Sequence, residues 1–273
     1  QLNMSTTLQR IGSKSTTILR RLSVAKREYP DFIIIGAMKA GTTSLFSYLN
    51  QHYQLKSSVV KEVHYFDSPN YKETNHHWYR ARFPIVSDGI KTFEASPRYL
   101  LNPDVPERIH RTIPGVKLIA ILRNPVERAI SHYYHMKTGD REKLNLMEAL
   151  EAEEERLEYA HKNRDYLDEL YVSFSYKLRG HYAEQLEAYY QYFSKDQILI
   201  LNTKQLREDV HGTLKKIYDF VGVDPDVVID DVKPRHVSKA KKHVDDEVYD
   251  YLSHYYSVHN QKLYALLDKN FGW

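Results

Sequence analysis

The chain has 273 residues and not one cysteine. That excludes disulfides, thiol nucleophiles and thiolate-ligated metals, and it leans toward a reducing compartment. Long apolar runs are also missing: no segment reaches the roughly 18 residues of a membrane-spanning helix, and no apolar signal-peptide core is present. Together these absences predict a cytoplasmic protein, an expectation compatible with a membrane anchor upstream of Gln1. Neither sign of charge is in excess, since 39 Lys and Arg face 36 Asp and Glu for a net +3. Such a balance demands no nucleic acid partner. The length suits one α/β domain, or one domain with a lid.

What is present is concentrated in Asp31 to Ser47, DFIIIGAMKAGTTSLFS. Phe32 to Ile35 reads as a buried strand of a parallel sheet. Gly36 and Gly41 bracket Lys39, Thr42-Thr43-Ser44 follow, and Leu45, Phe46, Tyr48 and Leu49 recur at helical spacing. Strand, glycine loop and helix in that order aim backbone N–H groups and a helix N-terminus at one point, an anion site. The loop approaches the nucleotide-hydrolase pattern G-x-x-x-x-G-K-[ST], but Thr42 follows Gly41 and the lysine lies inside the loop, at Lys39. A second buried strand, 116–122, ends in Arg123 where a magnesium-binding Asp would be needed. These departures predict a phosphate loop without a metal, serving a transferred group that carries less charge than a γ-phosphate.

Two motifs then carry a family resemblance. GAMKAGTTSL resembles the 5′-phosphosulfate loop of sulfotransferases that use 3′-phosphoadenosine-5′-phosphosulfate (PAPS), and LRNPVERAISHYYH at 122–135 resembles their 3′-phosphate motif. KEVHYFD at 61–67 resembles the heparan-type N- and 3-O-sulfotransferases and their bacterial relatives. The resemblance implies a P-loop-like three-layer α/β fold, with a central parallel sheet flanked by helices. It implies that Lys39, Ala40, Gly41, Thr42, Thr43 and Ser44 hold the donor's 5′-phosphosulfate, and that Arg123 and Ser131 hold its 3′-phosphate. By the same resemblance Glu62 is the base, Lys39 steadies the leaving group and His135 lies near the transferred group. Ser238 and Lys239, in SKAK, partly match a late S-K-G-R loop that closes on the nucleotide; Ala240 and Lys241 depart from it. Tyr182 matches a G-x-Y-x-x-x-L segment, although its spacing equally suits a core tyrosine. EASP at 94–97 departs from the heparan-type E-K-T-P, because Ala95 stands where an acceptor-side lysine is expected.

The remaining chain is read as follows. Residues 1–30 form a basic, solvated lead-in to a single domain, 31–273. Residues 71–84 are rich in aromatics that either cover an acceptor pocket or pack. Arg128 is expected on the helix surface, in a salt bridge with Glu127 or a neighbour. Residues 141–170 read as an amphipathic helix with a solvated acidic face, including Glu148, Glu151, Glu153, Glu154, Glu155 and Glu158, and as a probable lid. Further helices are predicted over 174–193, around 212–221 and over 246–269, with a strand at 197–201. The expected activity is transfer of a sulfuryl group from PAPS to a hydroxyl or amine of a small-molecule or carbohydrate acceptor. Two alternatives stand beside it: a magnesium-dependent P-loop kinase, and a non-catalytic nucleotide- or glycan-binding module.

Overall fold

The computed structural model describes residues 27–69, 71–72, 76–235 and 244–273. The expectations on residues 1–26 and on Ser238 and Lys239 lie outside the described residues. Five strands build one sheet: β1 Phe32–Gly36, β2 Leu55–Ser57, β3 Lys91–Ala95, β4 Lys117–Leu122 and β5 Ile198–Asn202. Every pairing is parallel and the order is β2-β3-β1-β4-β5. A parallel sheet needs crossover helices that cover both faces, so its central strands β1 and β4 read as near-continuous apolar runs rather than alternating. Accordingly all five residues of β1 are buried. The chain visits β2 and β3 on one side of β1 before it crosses to β4 and β5 on the other. The carboxyl ends of β1 and β4 therefore flank the switch point where ligands of open α/β sheets bind.

The core begins on the sheet, where Phe32 stacks on Phe93 at 4.9 Å between centroids and 4° between planes. A second cluster seats the C-terminal helix Asp246–Leu267 by Val248, Leu252 and Tyr256 against Val126, Ala129, Ile130 and Tyr133 of the helix Pro125–Thr138. Asn124 starts the latter helix, accepting from the amides of Val126 and Glu127, and Pro125 occupies its first turn. Among the described residues no helix is long and apolar enough to cross a membrane.

Two helical expectations are corrected. Residues 174–193 are not one helix: Glu169–Phe174 ends, a 3₁₀ turn spans Leu178–Gly180, and a new helix runs Tyr182–Tyr190. The break is stabilised by tertiary partners that the local pattern does not contain. Glu153 accepts the amides of Lys177 and Leu178 at 2.5 and 2.8 Å, and the Tyr256 hydroxyl donates to the Lys177 carbonyl at 2.9 Å. Nor is 141–170 one helix. It divides into Leu146–Glu151 and Glu153–Asn163, the first opened by a capping box between Asn145 and Glu148. Glu153 is only 2% exposed, so it is not part of a solvated acidic face.

Gly36 is needed for space rather than for backbone freedom. A Cβ there would lie 2.7 Å from Leu100 Cβ and 3.2 Å from the Pro97 carbonyl oxygen. Gly36→Ala is therefore expected to lower stability by about 1–3 kcal/mol, seen as a fall in Tm. Gly115→Ala, where a Cβ meets nothing within 4 Å, should stay within about 0.5 kcal/mol of wild type.

Candidate donor and transfer site

The loop after β1 is built from the inside outward. Its Ala37 amide donates to the Ile121 carbonyl at 2.8 Å, its Lys39 carbonyl accepts from Arg123 Nη1 at 3.2 Å, and its Ala40 carbonyl accepts from Thr203 Oγ1 at 2.6 Å. Thr203 also donates to the Leu122 carbonyl at 3.0 Å, which ties the loop to the end of β4. Lys39 and Gly41 take positive φ, 68° and 99°, and so turn the chain into the helix Thr42–Leu49. At Gly41 that angle favours glycine. Among the described residues no side chain caps this helix, so its first-turn amides are donors without a partner there, beside a positive helix end. Carbonyls engaged by the protein and amides left open make an anion cradle. Ser44, in the first turn, is met by the returning chain: the Arg235 amide donates to its Oγ at 2.8 Å.

Cations converge here. Burial pushes the Lys39 ammonium below the usual lysine range, and the charges of Arg123 and Arg128 add to this, against a smaller opposing effect of Glu62. Arg123 also pairs with Glu127, Nη2 to Oε2, at 3.0 Å. Ser131 is half-buried two turns along the same helix, whereas His135 is exposed near its end. The inward-facing histidine is instead His132, fully buried, with both ring nitrogens unbonded among the described residues. Tyr182 is 1% exposed and donates to the Arg123 carbonyl at 2.9 Å, so it braces the arginine from the core.

Arg128 departs from expectation. Glu127 is taken by Arg123, and Arg128 is fully buried, donating from Nη2 to the Tyr176 carbonyl. Its Nε and Nη1 have no protein partner among the described residues. The helical period explains the burial, since Arg128 shares a face with the buried Pro125, three residues before it, and His132, four residues after it.

The segment after β2 supplies the acid–base groups. Glu62 and His64 both have positive φ, 63° and 51°, a strain of about 1–3 kcal/mol each that clusters at functional sites. Glu62 Oε2 lies 3.3 Å from His64 Nε2, and Lys61 bonds the other carboxylate oxygen. His64 Nδ1 lies 3.0 Å from Oδ2 of Asp67, itself fully buried and also bonded by Arg98 Nε. Burial opposes the Glu62 carboxylate, but the hydrogen bonds from His64 and Lys61 outweigh it and hold the pKa at about 2. Burial likewise opposes the His64 cation, but Asp67 and Glu62 outweigh it and raise the pKa to about 9. The sequence reading had Glu62 but missed Asp67 and Arg98. The H-x-x-D spacing of His64 and Asp67 was the available signal. Behind this segment the aromatics of 71–84 pack: Tyr65 stacks on Tyr79 at 4.7 Å and 13°.

His181, Glu184 and His259 are the one group among the described residues spaced to hold a metal. The imidazoles of His181 and His259 stack at 3.7 Å and 12°, and Glu184 Oε1 is already engaged, 3.2 Å from His259 Nδ1 and accepting from Lys262 at 3.2 Å.

The sulfotransferase domain family matches residues 29–262. The chain belongs to the sulfotransferase family. It is thus a transferase of sulfuryl groups, and the kinase and non-catalytic readings are not favoured. Mouse heparan sulfate glucosamine 3-O-sulfotransferase 6 is 28% identical over 271 residues, 91% of this chain and 75% of that protein. Mouse bifunctional heparan sulfate N-deacetylase/N-sulfotransferase 4 is 28% identical over 273 residues, 88% of this chain and 30% of that protein. A sulfotransferase structure from Alicyclobacillus acidocaldarius superposes with TM-score 0.75 at 27% identity, covering 89% of this sulfotransferase and 98% of that chain.

Asp67→Asn is expected to lower the His64 pKa from about 9 toward its ordinary value of about 6.5, measured by NMR titration of the imidazole. The stability consequence has a definite sign. His64 is raised, so its contribution is complete below 6.5 and is lost as pH rises through about 9. Glu62 is depressed, so its contribution is present above 4.5 and is lost as pH falls through about 2.

Proposed function

We propose that this sulfotransferase moves a sulfuryl group from PAPS to a hydroxyl or amine of a carbohydrate acceptor, with Glu62 as the base. The observation that carries the donor assignment is the anion cradle: open first-turn amides at Thr42 to Ser44 beside Lys39 and Arg123. In this reading Lys39 to Ser44 hold the 5′-phosphosulfate by amides, hydroxyls and ammonium. Arg123 and Ser131 hold the 3′-phosphate, by a guanidinium fork and a hydroxyl. Tyr182 acts on the nucleotide only through the carbonyl of Arg123. Ser238 and Lys239 remain assigned to closing over the donor by their partial motif match. The donor supplies an electrophilic sulfur on a phosphate leaving group.

The protein's own groups then do four things. Glu62 takes the proton as the acceptor oxygen or nitrogen bonds to sulfur and the bond from sulfur to the bridging phosphate oxygen breaks. Lys39 neutralises charge that builds on that oxygen, the electrostatic effect that is often largest. His64, held by Asp67, orients the Glu62 carboxylate. His135, exposed near its helix end, assists from the acceptor side by orienting the incoming group. A carboxylate with a pKa of about 2 is a weak base, and proton transfer is most effective when the base lies near the working pH. Release of the Lys61 contact as the acceptor enters would raise this pKa, with the larger effect of the His64 hydrogen bond retained. Carbohydrate is favoured as the acceptor because relatives with similar KEVHYFD-type segments are named for heparan sulfate.

Calorimetry with 3′-phosphoadenosine-5′-phosphate should show tight, magnesium-independent binding, weakened at least tenfold in Arg123→Ala. Preference for ATP with magnesium would overturn the donor assignment. With PAPS and an N-sulfated heparosan oligosaccharide, Glu62→Gln should lower kcat by about 10²–10⁴-fold. Lys39→Ala should lower kcat more than it weakens donor binding. Unchanged kcat in Glu62→Gln would remove the base role.

A further inference from the structure

The strained turn at Glu62 to Tyr65 is held from below by a single buried carboxylate. Glu94, near the end of β3, is fully buried. Three hydroxyls donate to it: Tyr79 Oη to Oε1 at 2.7 Å, Tyr99 Oη to Oε1 at 3.2 Å and Ser96 Oγ to Oε2 at 2.7 Å. Two of those hydroxyls are themselves acceptors for the turn. The His64 amide donates to Ser96 Oγ at 3.2 Å, and the Tyr65 amide donates to Tyr99 Oη at 2.8 Å. The Glu62 amide donates one step along the same strand, to the Ala95 carbonyl at 2.9 Å. Every amide that fixes this turn therefore ends on Glu94 or on its neighbour.

The direction of these hydrogen bonds matters. An ionised carboxylate only accepts, so it orients both hydroxyl protons toward itself and leaves their lone pairs facing the amides of His64 and Tyr65. An amide or a protonated acid at position 94 brings a donor of its own. One hydroxyl must then turn, and one buried proton loses its acceptor, which is costly where Glu94, Ser96 and Tyr99 are all fully buried. Two residues with positive φ persist only where the surroundings over-determine them, and this relay supplies that restraint. Burial raises the Glu94 pKa to about 7 against the opposing effect of its three hydroxyl donors, with Asp67 adding to the rise, so the ionised form that the relay uses predominates only above that pH.

We propose that Glu94 is a positioning residue for sulfuryl transfer: through Ser96 and Tyr99 it fixes the backbone from Glu62 to Tyr65 and so aims the Glu62 carboxylate. This rests on the reading of Glu62 as the base, and it assigns a role to a residue that touches neither donor nor acceptor.

The test separates positioning from stability and from the identity of the base. In Glu94→Gln, amide hydrogen exchange at His64 and Tyr65 should accelerate at least tenfold, while exchange in β4 stays at the wild-type rate. Calorimetric Kd for 3′-phosphoadenosine-5′-phosphate should stay within twofold. With PAPS and N-sulfated heparosan oligosaccharide, kcat should fall at least tenfold at an unchanged donor KM. Introduced into Glu62→Gln, the same change should cost nothing further, because it acts through Glu62. If Glu94→Gln does not fold, each arm is tested alone: Ser96→Ala should accelerate exchange at His64, and Tyr99→Phe at Tyr65. Unchanged exchange at both amides would overturn the proposal, as would a loss of kcat that persists in the Glu62→Gln background. An unaltered kcat in Glu62→Gln itself would remove the base reading, while the exchange measurement would still decide whether Glu94 holds the turn.

Discussion

The site depends on where the phosphate loop sends its carbonyls. An irregular loop has as many acceptors as donors, and it becomes an anion site only if the acceptors are occupied elsewhere. Here Arg123 takes the Lys39 carbonyl and Thr203 takes the Ala40 carbonyl. The amides of the following helix are left as the free polar groups. One contact thus serves two ends, because Arg123 both shapes the loop and presents a cation beside it. Tyr182 holds Arg123 in turn by its backbone, so a core aromatic fixes a charged side chain at the switch point of the sheet.

The transfer side follows a different logic, one of paired opposite charges under strain. Lys61, Glu62, His64, Asp67 and Arg98 alternate in sign along a connected line. Each cation depresses the pKa of its carboxylate neighbour, and the carboxylates raise that of His64. In such a line the charge on any member is set by its neighbours, and removal of one changes the protonation of the next. Near the donor cradle Arg123 has a carboxylate partner, Glu127, but the buried Arg128 has two nitrogens, Nε and Nη1, without a partner among the described residues, and its field reaches both Lys39 and His132.

Much of this was legible in the sequence because the signals are local. β1, β4 and β5 are short apolar runs, and the glycine loop, the Asn124 cap and Pro125 state their geometry within a few residues. The missed features share a cause: each depends on a partner distant in the chain. The break before Tyr182 is made by Glu153, 24 and 25 residues away, and by Tyr256, 79 residues away. Glu153 looked like one more member of an acidic face until its amide partners were known. Arg128 looked like a surface residue because Glu127 stood beside it, but Glu127 is claimed by Arg123 from four residues upstream. Arg98 was overlooked because its pairing with Asp67 crosses 31 residues, whereas Asp67 itself lies three residues from His64 and was legible locally.

The Ser44 to Arg235 contact joins residues 191 apart, and the Ala40 to Thr203 contact joins residues 163 apart. Bonds of that span form only after most of the chain has been gathered, since loop closure is costly before contacts repay it. The cradle is therefore complete only when segments well over a hundred residues apart in the chain have been brought together. Donor affinity in a refolding experiment thus reports completion of the fold, not its beginning.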